Sequence, residues 1–181
     1  TTDAIVDGEL HNLIVLLRFS DHKDRALPSI ADIDILFNSP PGEFQSDITP
    51  TGSVQHVFYQ SSYGRLTIKS TIYPAGWIDL SNTESHYASG KKGLSSSRLH
   101  EALLESLAAI NTNMATTKFD FDKFDRNKDG IIDSITFLHS GYGAEFGGID
   151  CHTSSIYENR IWSHKWFIKP NPGFVTSRIS G

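Results

Sequence analysis

The sequence has little of what would cross-link a chain or place it in a membrane. Its 181 residues include one cysteine, Cys151, which excludes a disulfide within the chain and leaves the cellular compartment undecided. The longest apolar run, LIVLL at residues 13–17, is far shorter than the ~20 residues that a membrane span needs. The opening TTDAIVDGEL has neither the basic start nor the apolar stretch of a signal peptide, so a secreted protein would carry this sequence as a mature or trimmed chain.

The sequence also has no large excess of positive or negative charge. The net charge is −5, and the lysines and arginines are dispersed, which argues against a nucleic-acid partner or a basic membrane-binding helix. Hydrophobic residues make up 38% and aromatic residues 11%, enough for a real core. We therefore expect a single folded domain over residues 1–181, and the Ser/Thr-rich polar segments favour an extracellular protein.

Hydrophobic periodicity predicts an α/β or α+β domain in which strands flank one long helix. Residues 13–17 are typical of a central strand, residues 65–72 alternate as a half-buried strand, and SITFLHSG predicts a third strand. A short helix is predicted from a cap at Ser53 to an end at Gly64, while ADIDILF fits either a helix or a strand. The long helix lies in SSSRLHEALLESLAAIN, where the serines supply the cap and the leucines form one stripe.

Two further segments have less regular patterns. YPAGWIDLSNTESHYASGKKG, which follows the second strand, predicts an irregular loop with aromatic anchors. In RIWSHKWF, alternation places Trp162, His164 and Trp166 on one face of a short strand. Because large aromatic side chains dominate core energetics, we expect Trp162, Trp166 and Phe167 to be mainly structural; a substrate-facing aromatic wall is the alternative.

The stretch DRNKDGIID, residues 125–133, places oxygen-bearing side chains on alternate positions around a glycine. This spacing predicts a calcium site with a structural role, because Gly130 permits the sharp bend that gathers the oxygens. The predicted ligands are the side chains of Asp125, Asn127, Asp129 and Asp133 and the carbonyl of Ile131. Thr136 replaces the bidentate glutamate of an EF-hand, so Asp120 or Asp122 would have to complete the shell. The alternative is an acidic surface turn.

No catalytic residue is predicted. None of the eight histidines has a partner four residues away, so the zinc-binding HExxH motif does not occur in the sequence. Cys151, His152 and His164 form a weak pattern for zinc or for a Cys–His hydrolase, and Glu145 with Asp150 is a weak carboxylate pair.

The order of the motifs is more informative than any one of them. LIVLLRFSD, YQSSYGRLTI, Trp77, the long helix, DRNKDGIIDSITFLHSGYGAE and IWSHKW follow each other along roughly residues 13–167. This series resembles the N-terminal part of the catalytic domain in secreted zinc metallopeptidases related to immune inhibitor A. The matching positions are Phe19 and Asp21, Ser62, Gly64 and Leu66, the loop from Asp125, His139 to Glu145, and Trp162 to Trp166.

The resemblance implies a zincin-like subdomain with a twisted mixed sheet, one long helix and a calcium-type loop. It also implies a protein or peptide substrate and hydrolysis by zinc-activated water. In that family the HExxH helix follows the WSHxW segment, and no such helix occurs before Gly181. We therefore expect the front half of a metalloendopeptidase domain, inactive alone, which binds zinc only if a downstream segment supplies HExxH; the ending VTSRISG favours a truncated chain. The alternative is a non-catalytic, calcium-stabilised extracellular module.

Overall fold

A computed structural model describes residues 7–44, 47–168 and 174–175. Within these ranges the chain forms three β-strands and five α-helices, joined by short 3-10 turns. The strands are β1 (Gly8–Arg18), β2 (Leu66–Asp79) and β3 (Ile135–His139). The helices are α1 (Ile30–Asn38), α2 (Val54–Ser61), α3 (Glu84–Ala88), α4 (Leu99–Thr112) and α5 (Met114–Thr117). Over the same ranges, no helix combines the length and the apolar character needed to cross a bilayer.

The strands form one sheet in the order β2-β1-β3, with β1 at its centre. At the start of β1 the Gly8 amide donates to the Arg65 carbonyl at 2.6 Å. At its end the Leu80 amide donates to the Arg18 carbonyl at 2.8 Å. Both strands therefore advance in the same direction, and β1 and β2 are parallel.

The pair β1 and β3 is also parallel. The Leu13 amide donates to the Ser134 carbonyl at 3.1 Å, and the Ser140 amide donates to the Leu17 carbonyl at 2.9 Å. The predicted mixed sheet is therefore wrong for the described strands. The reason is that long segments with helices of their own connect these strands, and such crossovers join parallel neighbours.

The core of the sheet is the middle of β1. Residues Leu13 to Leu17 are 0–1% exposed, so both faces of the strand are covered. A continuous apolar run is what a parallel strand buried on both faces requires. The predicted central strand is confirmed.

Contacts divide the chain into two compact units, and each strand begins in the first and ends in the second. The first unit draws on residues 1–14, 28–73 and 120–136, and the second on residues 15–27, 74–119 and 137–181. The expectation of a single domain stays a prediction.

In the first unit, side-chain caps fix the starts of two helices. The Ser53 hydroxyl accepts the His56 amide at 3.0 Å, which confirms the predicted start of α2. Ser29 and Asp32 form a reciprocal capping box at the start of α1, which decides the ambiguous segment ADIDILF in favour of a helix.

A buried polar network links the three strands within this unit. The Asn12 amide group donates to Ser70 Oγ at 3.2 Å, and its carbonyl accepts the hydroxyls of Ser134 and Thr136 at 2.9 and 3.1 Å. Asn12 is 3% exposed, so a change of register would leave its amide group without partners.

In the second unit, α4 confirms the predicted long helix, with Leu99, Leu107 and Ile110 buried along its length. The predicted serine cap is only partly correct. Arg98 occupies the cap position without a side-chain hydrogen bond, and Ser97 Oγ accepts the Leu99 amide at 3.3 Å.

Two predictions for this unit are wrong. Strand β2 continues to Asp79, into the first part of the segment predicted as a loop, because proline is tolerated on an edge strand such as β2. The segment WSHKWF forms no strand. Its residues Trp162, Trp166 and Phe167 are 38%, 52% and 86% exposed, so their side chains are not part of the hydrophobic core.

The carboxylate of Glu105 joins α4 to the residues that follow β2. It accepts the Ser81 amide and hydroxyl at 2.7 and 2.6 Å, and the Tyr87 hydroxyl at 2.6 Å. Burial by itself raises the pKa of Glu105, but these donors outweigh burial and the pKa lies below its ordinary value.

We predict that Glu105→Gln lowers the free energy of unfolding by about 1–2 kcal/mol at pH 7, because three donors lose a charged acceptor at a part-exposed site. A lowered pKa in the folded state stabilises above the unfolded pKa, and that stability is lost as pH falls through the folded value. The difference between the two proteins in urea unfolding should therefore shrink below about pH 4. Glu101→Gln, on the same helix with a carboxylate 61% exposed, is the control and should change little; equal effects of the two variants would contradict the assignment.

Candidate functional site

The segments after the three strands bring together three buried ionisable side chains in the second unit. His22 lies in the 3-10 turn after β1, Glu84 is the first residue of α3 after β2, and Asp150 lies in the loop after β3. One ligand atom from each lies within 4.8 Å of the other two. The residues are 0%, 0% and 1% exposed, so water does not screen them. We call these three residues the His–Glu–Asp cluster.

The orientation of His22 is fixed by Ser140. Ser140 Oγ lies 2.9 Å from His22 Nδ1 and also accepts the Phe19 amide at 3.1 Å. In the tautomer whose Nδ1–H donates to Ser140, the Nε2 lone pair faces the carboxylates. Nε2 has no hydrogen-bond partner, lies 3.7 Å from Glu84 Oε2 and lies 3.9 Å from Asp21 Oδ1. Burial, assisted by the charge of Arg25, lowers the pKa of His22 and favours the neutral ring.

Local structure places Glu84 at the start of a helix. Thr83 caps α3 by accepting the His86 amide at 3.2 Å. Glu84 Oε1 accepts the Ile161 amide at 3.2 Å, whereas Oε2 has no partner. Burial raises the pKa of Glu84 to about 7, despite the bond from Ile161. A Cβ atom at Gly141 would overlap this carboxylate, so a larger residue there would displace it from its present position.

Asp150 lies in a loop closed by an antiparallel bridge between Ile149 and Ile156. Its Oδ1 accepts the amides of His152 and Thr153 at 2.8 and 3.3 Å, and its Oδ2 accepts Arg25 Nη2 at 2.6 Å. Burial by itself raises the pKa of Asp150, but these donors outweigh burial and the pKa lies below its ordinary value. Asp150 is therefore the ionised member of the cluster.

His139, at the end of β3, borders the cluster. Its Nδ1 accepts the Gly141 amide at 3.3 Å and lies 3.9 Å from Glu84 Oε1. Burial lowers the pKa of His139 to about 4, outweighing the attraction of Glu145, so the ring is neutral at physiological pH.

The structure does not assemble a site from the residues of the weaker sequence patterns. Glu145 is exposed and accepts the amide and hydroxyl of Ser163, so it forms no pair with the buried Asp150. Cys151 is a free, exposed thiol. His164 is exposed and its Nδ1 lies 2.7 Å from the Trp162 carbonyl.

The acidic loop belongs to the first unit and is exposed. The side chains of Asp125, Asn127, Asp129 and Asp133 all accept amides within the loop. Asp125, for example, accepts the Asp129 amide at 3.1 Å and the Gly130 amide at 2.7 Å. Gly130 has φ +85°, as the predicted bend requires. These bonds gather the side-chain oxygens on one turn and fit both a calcium loop and an acidic turn.

The residues around this loop have other partners. Thr136 Oγ1 donates to Asn12 at 3.1 Å, and Asp120 Oδ1 accepts the Asp122 amide at 2.9 Å as the cap of a short turn. Ile131, whose carbonyl is the fifth predicted ligand, is 67% exposed.

Sequence reasoning missed the His–Glu–Asp cluster because its members are separated by 62 and 66 residues. A usable signal was nevertheless present. Polar residues follow each apolar strand, and the carboxyl ends of parallel strands meet at the same edge of a sheet. The expectation of a mixed sheet concealed this convergence.

Two comparisons with known proteins indicate the same family. The model of the immune inhibitor A peptidase M6 catalytic domain matches residues 32–178. The chain is also similar to immune inhibitor A of Bacillus thuringiensis subsp. alesti, with 27% identity over 128 residues that cover 64% of this chain and 18% of that relative. The chain thus spans less than a fifth of the length of the curated relative. Because the family model matches well over half of the residues, the chain belongs to the immune inhibitor A (M6) peptidase family.

Proposed function

We propose that the chain is the front half of the catalytic domain of a secreted zinc metalloendopeptidase, which hydrolyses peptide bonds in the intact protein. The observation that carries this proposal is the match of a peptidase catalytic domain to residues 32–178. The order of the motifs along the same residues supports it. The substrate would be a protein or peptide, bound in extended form beside a sheet edge such as that of β3.

The residues of this chain do not fit the zinc that peptidases of this kind use. The sequence contains no HExxH, and none of its histidines has a second histidine four residues away. We therefore assign no ligand of the peptidase zinc to these residues and derive no step of hydrolysis from them. The ligands would come from a segment downstream of Gly181.

The first prediction is that the 181-residue chain has no peptidase activity, because its sequence contains no HExxH motif to hold the peptidase zinc. The measurement is cleavage of casein and of quenched fluorescent peptides with zinc added, with and without chelator. The control is the longer product of the same gene, provided that it encodes HExxH, which should bind zinc and cleave casein.

Zinc-dependent hydrolysis by the 181-residue chain, abolished by chelation, would contradict this prediction. A gene without a downstream HExxH would instead favour the second candidate, a non-catalytic extracellular module. Loss of stability on chelation without any activity would not restore the peptidase assignment to this segment, because it could report bound calcium.

The second candidate is a module stabilised by calcium at the acidic loop, and the peptidase candidate would contain the same loop. We propose that Asp125, Asn127, Asp129 and Asp133, with the Ile131 carbonyl, bind a structural calcium ion in either candidate. The support is the gathering of their side-chain oxygens around Gly130. Without a cation, three aspartates on one turn repel each other, and calcium would remove that repulsion. The absence of the bidentate glutamate favours weak affinity, with Kd of about 10⁻⁴–10⁻³ M.

The second prediction is that millimolar calcium raises the melting temperature of the chain, and that Asp129→Ala abolishes the rise. Binding to the folded state alone stabilises by about 2.7 kcal/mol at a hundredfold excess over Kd. Asp79→Ala is the control: that carboxylate pairs with Arg18 in the second unit, so its removal should leave the calcium-dependent rise intact. A wild-type melting temperature that calcium leaves unchanged would mean that the loop is only an acidic turn.

A further inference from the structure

We propose that the His–Glu–Asp cluster is a structural site for one divalent cation of the zinc type, bound by His22 Nε2, Glu84 Oε2 and the carboxylate of Asp150. This site is separate from the zinc of the proposed peptidase and from the acidic loop, and no downstream segment is needed to form it. Its ligand atoms already lie within 4.8 Å of one another.

The first argument is that two of the ligand atoms have no partner. His22 Nε2 and Glu84 Oε2 are buried, form no hydrogen bond and face each other at 3.7 Å. Buried polar atoms are nearly always satisfied, because an unsatisfied one keeps its full desolvation cost. A cation between these atoms would satisfy both at once.

The second argument is charge. Three carboxylates, those of Glu84, Asp150 and the nearby Asp21, lie around His22, and the Arg25 guanidinium pairs with one of them, Asp150. A divalent cation between His22 and Glu84 would place positive charge where these carboxylates gather.

The third argument is the identity of the donors. Neutral imidazole suits zinc and related transition metals, whereas calcium and magnesium prefer sites made of oxygen alone. Imidazole nitrogen and carboxylate oxygen, the two donor types present here, both bind zinc in proteins. Ser140 fixes His22 through Nδ1 and leaves Nε2 for the metal, as outer partners of metal-binding histidines do.

The position of the ligands indicates what the metal would do. Each ligand lies in the segment that follows a different strand, so one cation would cross-link three connections that are far apart in sequence. The chain has a single cysteine and cannot achieve this with a disulfide. The three residues are 0–1% exposed, so a substrate would have no access to a metal bound there.

The test uses the purified 181-residue chain, stripped with chelator and titrated with zinc against a chromophoric competitor. We expect one tight equivalent of zinc per chain, and a rise in melting temperature on binding. His22→Gln and Glu84→Gln should each weaken that equivalent by about 100-fold or more, since loss of an outer partner alone costs about 10–100-fold. Asp129→Ala, His164→Gln and Cys151→Ser are matched controls and should retain it, because they alter the acidic loop, an exposed imidazole and the exposed thiol.

A chain that binds no zinc, or whose tight equivalent survives both cluster variants, would overturn the proposal. If the cluster variants do not fold by circular dichroism, X-ray absorption of the wild-type zinc complex decides: one imidazole with oxygen ligands supports the site. Sulfur or several imidazoles in that spectrum would overturn it. Because each readout is binding or stability, failure here is distinguishable from failure of the proposed peptidase function.

Discussion

The burial of β1 on both faces is the constraint on which the rest of the structure depends. A strand with residues 13–17 at 0–1% exposure needs cover above and below as well as neighbours on both sides. Here β2 and β3 are the neighbours, both parallel to β1, so the connections must cross over the sheet and include helices. The segments that leave the strands then begin at the same edge. The His–Glu–Asp cluster is therefore a consequence of strand direction, not of a local motif.

Patterns within about ten residues predicted the local structure well, because each reports on contacts between near neighbours. The apolar run of β1, the cap of α2 at Ser53 and the stripe of α4 are all present in the structure. The order of such motifs along the chain also indicated the family, which the match over residues 32–178 confirms. Spacing around Gly130 predicted a compact turn, although the calcium assignment stays a prediction.

The failures share a different physical cause, since each depends on partners distant in sequence. Whether Pro74 ends a strand depends on the strand's place at the edge of the sheet, which its own sequence does not encode. Alternation in WSHKWF favoured burial, yet Trp166 is 52% exposed because no neighbouring strand pairs with that segment among the described residues. The cluster required both strand order and strand direction, and the predicted mixed sheet had the direction wrong.

The residues that the fold and the cluster need begin before the residues that the family model matches. His22 and all of β1 precede residue 32, where the match begins, whereas Glu84 and Asp150 lie inside it. Yet β1 is the centre of the sheet, and His22 supplies the nitrogen that faces Glu84. A fragment cut at residue 32 would lose the central strand and leave two buried carboxylates without that imidazole, an arrangement that costs stability. The physical unit therefore includes β1 and His22, because the core and the cluster are each incomplete without them.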